Sequence, residues 1–344
     1  MIKPAKLQKG DKIATISLSW GGAGELPHRY EVGKKQIQEA FGVEVVETSH
    51  ALKSADWIYK NPQARVDDLY EALEDSTIKA IFSNIGGEDS VRTLSLIDPK
   101  VIQAHPKIFI GFSDTTITHF CFFKAGVVSF YGTSVLTGFA ENGGMHAYQV
   151  KDIQHNLFSA KPVGRVSPNI DGWTSAFLDW ANPENQLIKR PLTPSTGWRF
   201  LQGKGVVEGA LLGGCLEVME SLKDTKFWVQ PAEWKGKIMF IETSEEKMLP
   251  HQFRWILRNY AASGILANIA GLIVARPYDN LYHQEYDEVL HTVIREEEGL
   301  DQLPVITGMD FGHTAPIFTL PYGVNAQIDC EEQTFSILES GVVD

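Results

Sequence analysis

A chain of 344 residues with 43 acidic and 31 basic side chains, a formal net charge of −12, is long enough for two domains, each with its own core. The acidic balance argues against a nucleic acid polymer or an anionic membrane as the main partner, since both need a basic face. No apolar run is long enough to cross a bilayer. The basic start, Met1 to Ile13, leads only into a short strand-like run rather than a signal-peptide core.

In chain order, Lys12 to Leu18 reads as a first strand running into the glycine-rich loop Trp20-Gly21-Gly22-Ala23-Gly24. The G-x-G-x-x-G order of a dinucleotide site is missing there, and Pro27 opens a helix instead. Tyr30, Gly33, Ile37 and Phe41 mark one face of that helix, and Val43 to Val46 is a second strand. Val66, Leu69, Tyr70 and Leu73 line another helix. Ala80 to Ile85 is a third strand, ending in Gly86-Gly87-Glu88-Asp89-Ser90. The run Lys107 to Ile110 is a fourth, buried strand. It turns at Gly111 into Phe112-Ser113-Asp114-Thr115-Thr116 and an apolar helix through Phe123. Alternating strands and helices of this length predict a mostly parallel sheet covered on both faces.

Past Val127 to Phe130 the rhythm breaks. From Thr137 to about Trp198 the chain is rich in Gly, Asn, Pro and Trp, with one clear helix around His146 to Phe158. The second half resumes with the strand and turn Gly205 to Gly214. The strand Lys237 to Ile241 then runs straight into Glu242. A helix carrying Phe253, Ile256, Leu257 and Tyr260 follows, then the strand Gly271 to Ala275, a helix with Val289, Val293 and Ile294, and Pro304 to His313. Asn325 to Asp329 and Thr334 to Leu338 read as a hairpin. Cys121, Cys215 and Cys330 lie in apolar or strand-like settings, which predicts buried thiols and a reducing, cytoplasmic compartment. We divide the chain into an N-terminal domain over 1–165, a loop-rich connector over 166–204 and a C-terminal domain over 205–344.

Open α/β sheets bind ligands beyond the carboxyl ends of their strands. Ser113, Glu242 and His313 each follow a predicted strand, so all three could face one crevice as a Ser-His-carboxylate set. The turn at Ser113 has the form of a nucleophile elbow with Thr115 in place of the second glycine of G-x-S-x-G. Each residue also has a plainer reading. Ser113 could cap the following helix, His313 could be a loop histidine, and Thr243-Ser244-Glu245-Glu246 looks built to cap a helix. Glu245, Glu246 and Asp310 compete with Glu242 for the carboxylate role. Gly86 and Gly87 can bring backbone amides close to a developing oxyanion, or simply make a turn.

Taken together, Asn84-Ile85-Gly86-Gly87-Glu88-Asp89-Ser90, Gly111-Phe112-Ser113-Asp114, Gly209 to Gly214, Phe240-Ile241-Glu242-Thr243, Gly312-His313-Thr314 and Leu320-Pro321-Tyr322-Gly323 resemble the LD-carboxypeptidase family of serine peptidases, which includes the microcin C self-immunity peptidases. The resemblance implies an α/β fold: an N-terminal Rossmann-like three-layer domain with the nucleophile and a smaller C-terminal α/β domain carrying Glu and His. It implies Ser113 as nucleophile, His313 as general base, Glu242 as its orienting partner, and the amides of Gly87 and Asp114 as the oxyanion hole. No metal or organic cofactor is implied, and homodimers are usual. The Ile85-Gly86-Gly87-Glu88-Asp89-Ser90 form resembles the immunity branch, whose substrates are peptidyl- or aminoacyl-nucleotides; the murein-recycling branch cleaves an L,D-amide of a tetrapeptide. An aromatic from the loop around Ser167 to Trp180 would then stack on the base, with Trp173 and Trp180 as candidates. Two rivals stand beside a hydrolase: a non-enzymatic binder clamping a small ligand between two domains, and a nucleotide-cofactor enzyme using the Gly21 to Gly24 loop.

Overall fold

The computed structural model describes all 344 residues. Five strands open the fold: β1 (Lys12–Ile16), β2 (Glu44–Glu47), β3 (Ile78–Ser83), β4 (Ile108–Gly111) and β5 (Phe130–Tyr131). They pair in parallel in the order β5-β4-β3-β1-β2. Strands of such a sheet are covered on both faces, which is why β4 is an unbroken buried run rather than an alternating one. The helix Pro27–Phe41 shows how the sequence sets its own ends. Proline at the start needs no amide partner, and Gly42 stops the helix in a left-handed conformation.

Nine more strands follow: β6 (Gly164–Val166), β7 (Arg199–Gln202), β8 (Val206–Cys215), β9 (Lys237–Glu242), β10 (Gly271–Ala275), β11 (Val305–Met309), β12 (Leu320–Pro321), β13 (Asn325–Asp329) and β14 (Thr334–Ile337). Eight strands form the second sheet in the order β6-β14-β13-β8-β9-β10-β11-β7. Its centre, β8 to β11, is parallel, and antiparallel strands flank it on both sides. The architecture is therefore mixed α/β in two domains with largely parallel sheet centres. The second sheet, with eight strands against six, is the wider one.

Three short strands cross the expected limits. β6, at the end of the N-terminal stretch, and β7, in the connector, both join the second sheet, whereas β12 from the C-terminal half pairs antiparallel with β5. A single cluster of 83 buried apolar side chains runs through both sheets, so the domains share one core. Cys121 and Cys215 are buried free thiols, while Cys330 at the end of β13 is only half-buried. No helix is long and apolar enough to cross a membrane.

The helix Thr116–Lys124 lies where the domains meet, packed on β8 and on the helix Leu216–Leu222, which explains why residues 116 to 122 are all buried, the polar Thr116, Thr118 and His119 included. Its His119 stacks on Tyr322 with centroids 4.8 Å apart. Burial pushes His119 down to about 3, so the ring is neutral, giving one bond to the Gly111 carbonyl and taking one from the Ser129 hydroxyl, each 2.9 Å long.

Candidate active site

The chain leaves β4 through Phe112 in extended backbone and enters a single 3-10 turn, Ser113–Thr115, before the helix. Ser113 has φ 61°, a left-handed conformation that costs a non-glycine residue about 1–3 kcal/mol and is held only where the surroundings enforce it. Two contacts enforce it here: the Ser113 amide donates to the Tyr131 hydroxyl at 3.1 Å, and the Thr116 hydroxyl donates to the Ser113 carbonyl at 2.7 Å. Neither end of the turn has a side-chain cap. The Ser113 hydroxyl is engaged elsewhere, 3.1 Å from Nε2 of His313.

His313 reaches that position from the far domain, on the turn after β11. Gly312 before it has φ +81°, and a Cβ there would fall 2.8 Å from the Glu242 side chain, so only glycine lets the turn close over β9. Nδ1 of His313 donates to Oε2 of Glu242 at 2.6 Å, and the other carboxylate oxygen accepts from the Tyr131 hydroxyl at 2.5 Å. Glu242 is fully buried at the end of β9. Tyr131 thus ties the serine amide and the buried carboxylate through one hydroxyl, accepting from the first and donating to the second. Phe112 sets its ring edge against the imidazole, 5.0 Å between centroids.

A second carboxylate also reaches the imidazole. Oε2 of Glu245 lies 3.0 Å from Nε2 of His313, beside the serine hydroxyl. Burial lowers the affinity of His313 for its proton, but Glu242 and Glu245 outweigh it and push the group up to about 10. Of the rival carboxylates, Asp310 is committed to Arg276, to the Asn169 amide and to the Trp198 indole, at 2.8, 3.0 and 2.8 Å. Thr243 to Glu246 caps nothing, because the next helix starts at Pro250 behind Leu249.

Gly86 and Gly87 follow β3 opposite this turn. Gly87 has φ +146°, and a Cβ on it would meet Ser19 Oγ at 2.3 Å. The amides of Gly87 and Asp114 donate to no atom of the chain. The Asp114 carboxylate turns away to accept from Ser19 Oγ at 2.5 Å and the Ser90 amide at 2.9 Å, which locks the Gly87 and Ser113 loops together. Two cavities flank Ser113. The larger, about 630 Å³, is lined by His313, Gly86, Gly87, Trp180, Phe177 and Arg29 among others. The smaller, about 480 Å³, is lined by Asp114, Gly87, Glu217 and Cys215 among others.

The structure separates the two candidate tryptophans. Trp180 lines the larger cavity with the Arg29 guanidinium 4.2 Å from its ring centroid. Trp173 does not line it. It is 9% exposed, bridges backbone to Thr193 and packs under Arg276, whose guanidinium is 5.0 Å from its centroid. The Gly21 to Gly24 loop runs into one helical turn, Gly22–Glu25, packed on the backbone of 52–55. No three His, Cys, Asp or Glu side chains gather as a metal-ligating set. Tyr131 and Glu245 are the two members of this site without a predicted contact. Tyr131 sits in a two-residue strand with no periodic signal, and Glu245 was legible only as one of several acidic residues after a strand.

Residues 13–132 match the LD-carboxypeptidase N-terminal domain and residues 208–328 the LD-carboxypeptidase C-terminal domain. The chain is 27% identical over 350 residues to a putative carboxypeptidase of Vibrio cholerae, covering 98% of each. It is 28% identical over 343 residues to the microcin C7 self-immunity protein MccF of Escherichia coli, covering 97% of this chain and 95% of that one. It is 26% identical over 343 residues to a probable murein peptide carboxypeptidase of Bacillus subtilis, covering 99% and 95%. Among solved structures, an MccF-like protein from Streptococcus pneumoniae in complex with AMP superposes with a TM-score of 0.87 at 32% identity, covering 95% of this chain and 98% of that one. MccF in complex with aspartyl sulfamoyl adenosine superposes with a TM-score of 0.85 at 25% identity, covering 100% of both chains.

Proposed function

The chain belongs to the LD-carboxypeptidase family of serine peptidases, and from that premise we propose that it cleaves an amide through an acyl-enzyme on Ser113. The observation that carries this reading is the bonded line Ser113 Oγ, His313 Nε2, His313 Nδ1, Glu242 Oε2, at 3.1 and 2.6 Å, starting from a serine held at φ 61°. Neutral His313 takes the hydroxyl proton as Oγ attacks the carbonyl carbon. The oxyanion that forms accepts from the amides of Gly87 and Asp114. The imidazolium gives its proton to the departing amine, and a water then repeats the sequence to release the acid and regenerate Ser113. Glu242 holds the imidazole in the tautomer with its proton on Nδ1 and stabilises the cation. In this reading 1–165 supplies the nucleophile, 205–344 supplies Glu242 and His313, and 166–204 supplies the aromatic wall.

For substrate we favour a peptidyl- or aminoacyl-nucleotide of the microcin C type. The Trp180 indole, backed by Arg29 and lining the cavity on the imidazole side, supports this, since a flat aromatic wall suits a purine leaving group. The test is a side-by-side turnover assay on an aminoacyl sulfamoyl adenosine and a murein tetrapeptide, with an active-site phosphonate as a third arm. Turnover of the nucleotide together with labelling at Ser113 is expected. Turnover of the tetrapeptide alone moves the assignment to cell-wall trimming, and no labelling with tight nucleotide binding makes the protein a binder.

A further inference from the structure

The two cavities divide the substrate. His313 lines only the larger one, Asp114 only the smaller, and Ser113, Gly87, Trp20 and Glu245 line both. Because the imidazole must protonate the departing amine, the leaving group lies on its side, in the larger cavity. The acyl group then lies in the smaller. Its wall carries six carboxylates, Glu88, Asp89, Asp114, Glu217, Glu245 and Glu246, and no Lys, Arg or His. Asp89 is neutralised by Arg65 and Arg92, each at 2.9 Å, and Asp114 is buried under its hydrogen bonds. Glu88 and Glu246 have no partner for their carboxylates, and Glu217 is held facing the cavity region by the amide and hydroxyl of Ser244, both at 3.0 Å.

Glu245 joins this wall to the base. A carboxylate 3.0 Å from Nε2 is attractive only if that nitrogen carries a proton. With Nδ1–H already given to Glu242, the ring is then an imidazolium and cannot accept the Ser113 proton. The Glu245 side chain is 58% exposed and stands on a loop, so it is free to swing.

Building on the hydrolase reading above, we infer that Glu245 is a specificity-determining residue: it rests on His313 and leaves it for a cation on the acyl side chain, so the enzyme selects acyl groups whose side chain ends in an ammonium or guanidinium over those whose side chain ends in a carboxylate, the α-ammonium being common to both. Once the contact breaks, the imidazolium loses its proton to solvent more readily and becomes the base. The direction of the His313 shift, upward to about 10 with both carboxylates in place, agrees. The groups that face the ring are Ser113, Glu242 with Tyr131 behind it, and Glu245; Lys247, in the same cavity, is paired with Asp279 at 2.7 Å.

The test compares lysyl and glutamyl sulfamoyl adenosine, which share one leaving group. On full-length Ser113→Ala protein, the lysyl analogue should bind tighter by about ten- to a hundredfold, the scale of one charge-assisted hydrogen bond. Adding Glu245→Gln should shrink that ratio about tenfold or more, and Glu217→Gln should shrink it less. In the enzyme with Ser113 intact, Glu245→Gln should move the acid limb of kcat/KM for the glutamyl analogue to lower pH, a shift that mere loosening of the loop would not cause. Equal binding of the two analogues, or a lysyl preference indifferent to Glu245→Gln, overturns the inference while leaving the hydrolase reading intact. Failure of both analogues to bind, with no phosphonate label on Ser113, overturns both.

Discussion

Glu242→Gln is the sharpest probe of the site, because its neighbours decide which way the new amide turns. The carboxylate accepts from His313 Nδ1 at 2.6 Å and from the Tyr131 hydroxyl at 2.5 Å, and that hydroxyl already accepts from the Ser113 amide. If the glutamine oxygen faces His313, its NH2 faces Tyr131 and the buried phenol proton has no acceptor, a penalty of about 1–3 kcal/mol. If the oxygen faces Tyr131, every group is bonded, but Nδ1 must accept. The ring proton then sits on Nε2, aimed at Ser113, in the tautomer that cannot act as base. The second arrangement therefore wins by roughly 5- to 150-fold. Together with the lost stabilisation of the imidazolium, kcat should fall by about 10³–10⁴, the scale of the carboxylate-to-amide change in a chymotrypsin-like triad. The same geometry predicts a rescue. In Tyr131→Phe/Glu242→Gln the phenol no longer dictates the orientation, so part of the loss should return, although Tyr131→Phe alone should cost about tenfold. The assay is single-turnover release of the nucleotide from an aminoacyl sulfamoyl adenosine, with thermal melts to confirm folding. Glu242→Gln within tenfold of the unaltered enzyme, or a double variant whose losses simply multiply, refutes the tautomer reasoning.

Ser113→Ala should lower kcat by about four to six orders of magnitude and abolish phosphonate labelling, read by intact-protein mass; His313→Ala should cost as much, since the set acts as a unit. Trp180→Ala should weaken a nucleotide substrate by about 1–3 kcal/mol in KM and spare a murein peptide. Trp173→Ala should instead lower stability by about 3 kcal/mol, seen as a drop in denaturant midpoint. Burial pushes Asp152 up to about 7, above its unfolded range, so its ionisation erodes stability as pH rises from about 4 to 7. Asp152→Asn should therefore raise Tm at pH 8 and not at pH 4. The unpartnered Oδ1 of Asn156 can flip to receive the new amide, and a Tm gain equal at both pH values would contradict this.

How far the sequence carried the fold follows from how local each signal is. Ser113, Glu242 and His313 were readable because β4, β9 and β11 are inner strands buried along nearly their whole length, so each shows as a short, mostly apolar run with a recognisable end. β6 and β12 hold three and two residues, too few for any periodicity, so their exchange between the sheets left no mark in the chain. Tyr131 belongs to a two-residue strand, and its role arises from two bonds to residues 18 and 111 positions away. Glu245 looked like one of a capping cluster because the sequence does not say that the next helix waits until Pro250. The tryptophans differ only in the path of an irregular loop, which composition does not encode.

These same contacts constrain how the site can be regulated. The Cys215 amide donates to the Thr116 hydroxyl at 3.1 Å, and the Tyr322 hydroxyl donates to the Gly213 carbonyl at 2.5 Å, so β8 is fastened to the helix Thr116–Lys124 that follows Ser113 and to the segment after β12. With one core of 83 side chains running beneath them, the domains are packed rather than hinged. The distance from Ser113 to His313 is then set by packing, and closing the domains on a substrate is not available as a way to assemble the site. Selection has to come from parts that can move without disturbing the core. The exposed Glu245 beside the imidazole, which lines both cavities, and the loop carrying Trp180, which lines the larger, meet that condition.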